Sequence, residues 1–146
     1  MLVKRWMTTP VLTVPEDCPA VLAFRKMLEN QIRRLPVLDE DGALVGLVTD
    51  RDLRSLALQT MDHDPALTSA EVEANGLRVK DVMVTEVITV APDDDVRDAA
   101  LRMLNNHFTG LPVVEHGALV GIITVHDLME ILVAALEREE RARAAG

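Results

Sequence analysis

Two copies of one spacing, Thr49-x-x-Asp52 and Thr124-x-x-Asp127, each place a hydroxyl and a carboxylate three residues apart at the end of an apolar run. If a strand ends at the threonine and a helix starts there, the helix presents unpaired N–H groups and the positive end of its dipole, which together suit a phosphate. A carboxylate one turn in accepts two hydrogen bonds and can hold a ribose diol. The same spacing is that of a capping box, threonine as N-cap and aspartate near N3, which stabilises the helix without any ligand. Both readings fit the residues. Arg33 and Arg34 precede Leu35-Pro36-Val37, where the second copy has Thr109 and Gly110 before Leu111-Pro112-Val113. Two guanidiniums there would clamp a phosphate through paired N–H groups, or would be solvated arginines on a strand edge. Arg51, His107 and His126 are further candidate phosphate contacts.

Other reactive types point away from catalysis. His63, His107, His116 and His126 share no ligand spacing, so no metal site is expected. Asp93-Asp94-Asp95 reads as helix capping and dipole compensation. Cys18, the only cysteine, beside Pro19, reads as an inert thiol, and one cysteine excludes an internal disulfide or a Cys-x-x-Cys site. No Ser/His/Asp or Cys/His set and no Gly-rich phosphate loop is present. No catalytic residue is assigned, and the expectation is a protein that is not an enzyme.

The elements that must position these residues come from a duplication. Sliding the chain by 76 positions superposes Val3, Lys4, Met7, Thr9, Val11, Thr13, Val14, Asp17, Met27, Leu35, Pro36 and Val37, among others, on identical residues. A shift of 75 does the same for Gly42 to Val45, Gly46, Thr49, Asp52 and Leu53. In all 23 of the 51 positions from 3 to 53 match, against roughly one in fifteen at random, so the chain is a tandem repeat.

In each repeat the β-branched run Val11–Val14 or Val87–Val90 predicts a strand, and Asp17 with Pro19, or Pro92 with Asp93 and Asp94, a helix start. The helix buries a stripe of Ala20, Phe24, Met27 and Leu28, or Val96, Ala99, Ala100, Met103 and Leu104. A strand from Leu35 turns at Asp39–Gly42 into a second strand, Leu44–Thr49, with Pro36 expected on an edge or at the strand start. A second helix follows Thr49 or Thr124, the last one amphipathic through Leu128, Ile131, Leu132, Ala135 and Leu136 before a charged tail. Between the repeats the first unit's second helix reaches about Met61, a turn lies at Asp62–Pro65, and a short helix runs from Thr68, capped by Glu71, to Asn75-Gly76. The order is β-α-β-β-α, twice, an α/β (α+β) class with two pseudo-symmetric repeats packed sheet to sheet. The segments are 3–61, a connection 62–78, 79–136 and a charged end 137–146. Neither repeat of about fifty residues buries enough surface alone, so the two must pack together.

Composition narrows the partners. With 15 basic and 24 acidic residues the net charge is −9, and a duplex phosphate backbone is repelled. Aromatics are 2%, too few for a base-stacking platform, so nucleic acid is not an expected partner. Any bound base must lie between aliphatic side chains. No apolar run approaches the ~20 residues of a membrane span, and Met1–Met7 lacks a signal's apolar core, so the expectation is a cytoplasmic chain with no membrane partner. Residues 3–53 carry seven basic and eight acidic groups, residues 79–128 three and eight, so the halves are electrostatically unequal.

The doubled order Leu-Pro-Val, then Gly-Leu-Val-Thr-Asp-Arg-Asp-Leu or Gly-Ile-Ile-Thr-Val-His-Asp-Leu, resembles a tandem pair of CBS domains, the module named after cystathionine beta-synthase, over nearly the whole chain. The resemblance implies two clefts for adenosine-containing ligands such as AMP, ADP, ATP or S-adenosylmethionine, bound as regulators, with no obligatory cofactor. It also implies that the Thr-x-x-Asp of one repeat works with the first strand of the other. One cleft would combine Thr49 and Asp52 with Thr85, Val90, Thr109 and Gly110. The other would combine Thr124 and Asp127 with Thr9, Val14, Arg33 and Arg34. A homodimer packed through the helices after Thr49 and Thr124 (Leu53, Leu56, Ala57; Leu128, Ile131, Leu132, Ala135) and an unknown effector protein complete the expectation. The competing function is a ligand-free dimerising scaffold that keeps Thr-x-x-Asp as caps.

Overall fold

The computed structural model describes residues 1–54 and 76–146. The connection read as a helix end, turn and short capped helix, with Leu56, Ala57 and His63, falls outside the described residues. The chain forms two compact units, Leu12–Val87 and Met1–Val11 with Ile88–Gly146, called here the first and second unit. The first contains β1 (Val14–Pro15), α1 (Ala20–Asn30), β2 (Arg34–Leu38), β3 (Leu44–Thr49), a helical segment at residues 50–54 (α2) and the short α3 (Val79–Val82). The second contains a 3-10 turn at Val3–Arg5, α4 (Val96–Asn106), β4 (Gly110–Glu115), β5 (Ala118–Thr124) and α5 (Val125–Ala145). Mixed helix and strand in the expected order is what each unit shows.

The first strand is much shorter than its β-branched run predicts. β1 is two residues, and its counterpart is a single parallel bridge from Val90 to Val113. The prolines supply the reason. Val90 N–H donates to the Pro112 carbonyl and Val114 N–H to the Val90 carbonyl. The next bond of a parallel ladder would need an N–H on Pro112, which proline lacks. Pro36 lies likewise next to Val37, the partner of Val14. Pro36 is therefore not at an edge: the order is β1-β2-β3, and both Pro36 and Pro112 are fully buried. Opposite β3 its missing N–H costs nothing, because its partner Leu47 turns its own N–H and carbonyl outward to Val84.

That outward pairing belongs to an arm. In the first unit Val84 and Leu47 exchange both backbone bonds at 2.9 Å, and the Met83 side chain lies on Gly46. In the second, Thr8 and Ile122 do the same at 2.8 and 3.1 Å, with Met7 on Gly121. Each arm also reaches the start of a helix: Ala20 N–H donates to the Leu77 carbonyl and Val96 N–H to that of Met1. The arm preceding each repeat in sequence thus completes the unit built from the other repeat. Val79 and Val3 anchor the arms in cores made of Val14, Ala23, Met27, Leu35, Val37, Val48 and Leu53, and of Val90, Ala99, Met103, Leu111, Val113, Ile123 and Ile131.

Several burial expectations change. Leu28 and Leu104 are exposed, since Ala23 and Ala99 occupy the sheet-facing line instead. The cap of α1 is Pro19 without a side-chain bond, and Asp17 pairs with Lys80 at 2.7 Å. At α4 it is Asp95 that caps, accepting from Arg97 N–H, while Asp94 accepts from Ala91 N–H and Asp93 pairs with Lys4. On α5 only Ile131 of the predicted stripe is buried, Leu128 is half-buried, and Leu132 and Leu136 are exposed, as Ala135 is. The helix continues to Ala145, carrying Glu137–Arg141 and Glu139–Arg143 pairs, rather than fading into a tail.

Candidate functional site

Each Thr-x-x-Asp lies where a strand runs directly into a helix, and each is a complete capping box. Thr49 donates to Asp52 Oδ2 from its N–H at 3.0 Å and its hydroxyl at 2.9 Å, and the same hydroxyl accepts from Asp52 N–H at 3.3 Å. In the second unit Thr124 donates to Asp127 Oδ2 at 2.7 and 3.1 Å and accepts at 3.4 Å. Both bonds fall on Oδ2, and Oδ1 takes no part in the box. Asp127 is the one buried charged residue among those described, and Asp52 is half-buried. The capping role is therefore real, and in each box it uses one oxygen of the carboxylate.

The strand ahead of Leu-Pro-Val is fastened to the same helix. Asp50 N–H donates to the Arg33 carbonyl at 2.8 Å, and Val125 N–H to that of Thr109 at 3.0 Å. Arg34 is directly opposite Thr49, as Gly110 is opposite Thr124. Helices α1 and α4 deliver these residues by ending in left-handed caps at Gln31 (φ 54) and His107 (φ 56). Ile32 and Phe108 N–H then donate back to Met27 and Met103, an arrangement that closes helix ends.

Within the first unit the structure brings together Thr49, Asp52, Arg33, Arg34 and Arg51, with Thr85 following the arm residue that pairs with Leu47 and Val14 in β1. Within the second it brings together Thr124, Asp127, Thr109, Gly110 and His126, with Thr9 following Thr8, and Val90 beside Val113. Of each expected set, the helix-start pair and its arm threonine share a unit, and the other residues belong to the opposite unit. Arg33, Arg51, Thr9, Thr85, Thr109, His107 and His126 are exposed, Arg34 is half-buried, and Gly110 is buried.

Two positions were not singled out from sequence. Lys26 donates to the Thr13 carbonyl at 2.7 Å, and Arg102 to the Thr89 carbonyl, tying the segment before each first strand to the adjacent helix. Their signal was basic residues at matching places in the repeats. Among the described residues no group of three His, Cys, Asp or Glu is placed to hold a metal, and no helix is long and apolar enough to cross a membrane. Burial pushes the Cys18 thiol up from its ordinary pKa, away from the reactive thiolate.

The CBS domain family matches this chain twice, at residues 3–59 and 79–134. A CBS domain-containing protein of Dictyostelium discoideum is 35% identical over 139 residues, 94% of each chain. Among solved structures, the CBS domain pair of protein MJ0100 in complex with 5′-methylthioadenosine and S-adenosyl-L-methionine superposes with a TM-score of 0.78 at 26% identity, covering 92% of this chain and 98% of that one. CBSX2 in complex with AMP superposes at 0.74 with 28% identity, covering 94% and 98%. With two matched repeats, the doubled Thr-x-x-Asp boxes and this fold, the chain belongs to the CBS domain family as a tandem pair.

Proposed function

We propose that this CBS pair is a regulatory, non-catalytic module that binds an adenosine-containing ligand, AMP, ADP, ATP or S-adenosylmethionine, and signals to an effector protein in the cytoplasm. The observation that carries the reading is the doubled box whose aspartates keep Oδ1 outside the helix cap. Thr49 with Asp52 and Thr124 with Asp127 are the anchors, threonine toward phosphate and aspartate toward the ribose diol. Thr9, Thr85, Val14, Val90, Thr109, Gly110, Arg33 and Arg34 complete the walls, and Arg51, His107 and His126 are further phosphate contacts. That relatives of this fold hold methylthioadenosine, S-adenosylmethionine and AMP supports the ligand class.

The test is a thermal-shift panel of AMP, ADP, ATP, NAD and S-adenosylmethionine. A ligand at 100 times its Kd adds ~2.7 kcal/mol of stability. No shift with any of them at millimolar concentration favours the second reading, a scaffold in which Thr-x-x-Asp serves only as a cap, which the complete boxes also support.

We further propose that the chain is a homodimer through α5. Leu53 and Ile131 are spent on their own cores, whereas Met129, Leu132, Val133 and Leu136 are about half exposed along one stripe beside a shallow groove lined by His126, Glu130 and Glu137. Leu132→Gln with Leu136→Gln should yield a monomer in sedimentation at micromolar concentration. A wild-type monomer there rejects this assembly.

A further inference from the structure

We infer that Lys26 and Arg102 are positioning residues, cations that hold the short first strand of each repeat so that Val14 and Val90 are already in place when a ligand arrives. This rests on the adenosine-ligand reading and adds to it what fixes two of its wall residues. The first strand is too short to fix itself: it is two residues at Val14–Pro15 and a single bridge at Val90, and Thr13 and Thr89 just ahead belong to no strand. Val90 turns both its N–H and its carbonyl to β4, where they bond Pro112 and Val114. Backbone groups alternate along a strand, so the carbonyl of Thr89 faces the opposite way, out of the sheet edge. Thr13 stands in the same relation to Val14, the partner of Val37 in β2.

At that edge each carbonyl meets a cation from the helix that follows. Lys26 Nζ donates to the Thr13 carbonyl at 2.7 Å and the Arg102 guanidinium to the Thr89 carbonyl, each reaching back 13 residues. These are charge-assisted bonds, the stronger class. The downstream side of the strand is pinned by its own turn: the Pro15 carbonyl accepts from Cys18 N–H at 3.1 Å, while Ala91 donates to Asp94 Oδ2 at 2.8 Å and accepts from Asp94 N–H at 3.1 Å. The upstream side has the cation. The same bond is built twice with different residues, although the helix positions around it have diverged: Arg25 is matched by Leu101 and Glu29 by Asn105, whereas Lys26 is matched by Arg102, another long side chain that brings an N–H donor to the same carbonyl. A wall that must be ordered on binding costs backbone entropy at that moment, and a wall already held does not.

The test compares wild type with the double variant Lys26→Met, Arg102→Met, which keeps apolar stems and removes both donors, and with the conservative double variant Lys26→Arg, Arg102→Lys. In ligand-free protein, hydrogen exchange at the Val14 and Val90 N–H groups should quicken in the methionine variant and stay at the wild-type rate in the conservative one. In calorimetric titration well below Tm, with adenosine, AMP and S-adenosylmethionine as probes, the methionine variant should bind roughly fivefold to thirtyfold more weakly, the cost of ordering one backbone residue anew. The conservative variant should bind within about twofold of wild type, because the charge-assisted bond persists. A methionine variant that melts lower yet keeps the wild-type Kd shows a merely structural bond and overturns the inference alone. So does a loss of affinity that the conservative variant fails to restore. Wild type that binds none of the three probes rejects the adenosine reading and, with it, the positioning role.

Discussion

Asp127 is asked to do two things, and two substitutions separate them. Asp127→Ala removes the acceptor of both Thr124 donors from a residue that is only 6% exposed. Loss of a cap costs about 1 kcal/mol, and a partly buried N–H left without a partner adds about 1 kcal/mol more. At about 2–4 °C per kcal/mol for a chain of this size class, a fall in Tm of about 4–8 °C is expected in differential scanning calorimetry. Asp127→Asn keeps an amide oxygen where Oδ2 accepts, so the box survives in neutral form and the loss should stay below about 1 kcal/mol. Its second atom, however, becomes an N–H donor where Oδ1 was an acceptor. If Oδ1 holds a ribose diol, Asn lowers affinity at that site by roughly tenfold to a hundredfold, since a charged hydrogen bond is worth ~1.5–3 kcal/mol. Calorimetric titration of Asp127→Asn with the best ligand of the thermal panel reads this directly. Normal affinity in a stable Asp127→Asn protein refutes the ribose role and leaves Thr-x-x-Asp as a cap.

A methyl added at Gly46 would meet Met83 Cγ at 2.9 Å and the Val84 carbonyl at 3.1 Å, so Gly46→Ala should loosen the arm and cost about 1–3 kcal/mol in urea unfolding. At Gly121 the obstacles are all Met7 side-chain atoms, which can swing, so Gly121→Ala should cost less than Gly46→Ala; the reverse order would show that the arms are not held as described. His107 takes a left-handed φ of 56°, so His107→Gly should raise stability by up to ~1 kcal/mol in the same assay, and a loss would mean that the imidazole itself is needed. The hydrogen bond and charge of Lys80 hold the Asp17 carboxyl below its ordinary range, and the Arg97 N–H does the same for Asp95, with the N-terminal ammonium assisting. Because these folded-state values are lowered, their contribution is complete above the ordinary aspartate range and lost as pH falls through them. Stability should therefore be flat in this respect down to about pH 4 and fall below it, with Asp17→Asn showing a shallower acid limb.

What was legible in the sequence was whatever depends on local pattern. The Thr-x-x-Asp spacing announces both a helix start and a carboxylate held against it, and the apolar periodicity finds Met27 and Met103 as core. Where the reading went astray, a second chemical fact overrode the pattern. Val11–Val14 and Val87–Val90 have the composition of strands, but a strand needs a neighbour's donors, and Pro36 and Pro112 withhold one at the same place in both repeats. Leu28 and Leu104 fit a helical stripe, yet a stripe three residues wide covers this sheet and the fourth line of apolar residues stays outside it.

The exchange of arms shows a deeper limit. Val3, Lys4 and Met7 are identical to Val79, Lys80 and Met83, and they dock on sheets with the same glycine in the same place, Gly46 and Gly121. These shared contacts are of the same kind either way, so the residues that make them do not say which arm belongs to which sheet. The chain path decides. An arm on its own repeat would pair Thr8 with Leu47, leaving only Thr9–Thr13 to pass from the outer edge of β3 across β2 to β1 at Val14. Such a crossing over a sheet face that carries its own helix runs against how short connections behave. Docking on the other unit needs no crossing. The consequence reaches the proposed sites: Thr9 and Thr85 stand at the ends of exchanged arms, one residue beyond the bridges from Thr8 to Ile122 and from Val84 to Leu47, in the unit of the repeat they do not precede.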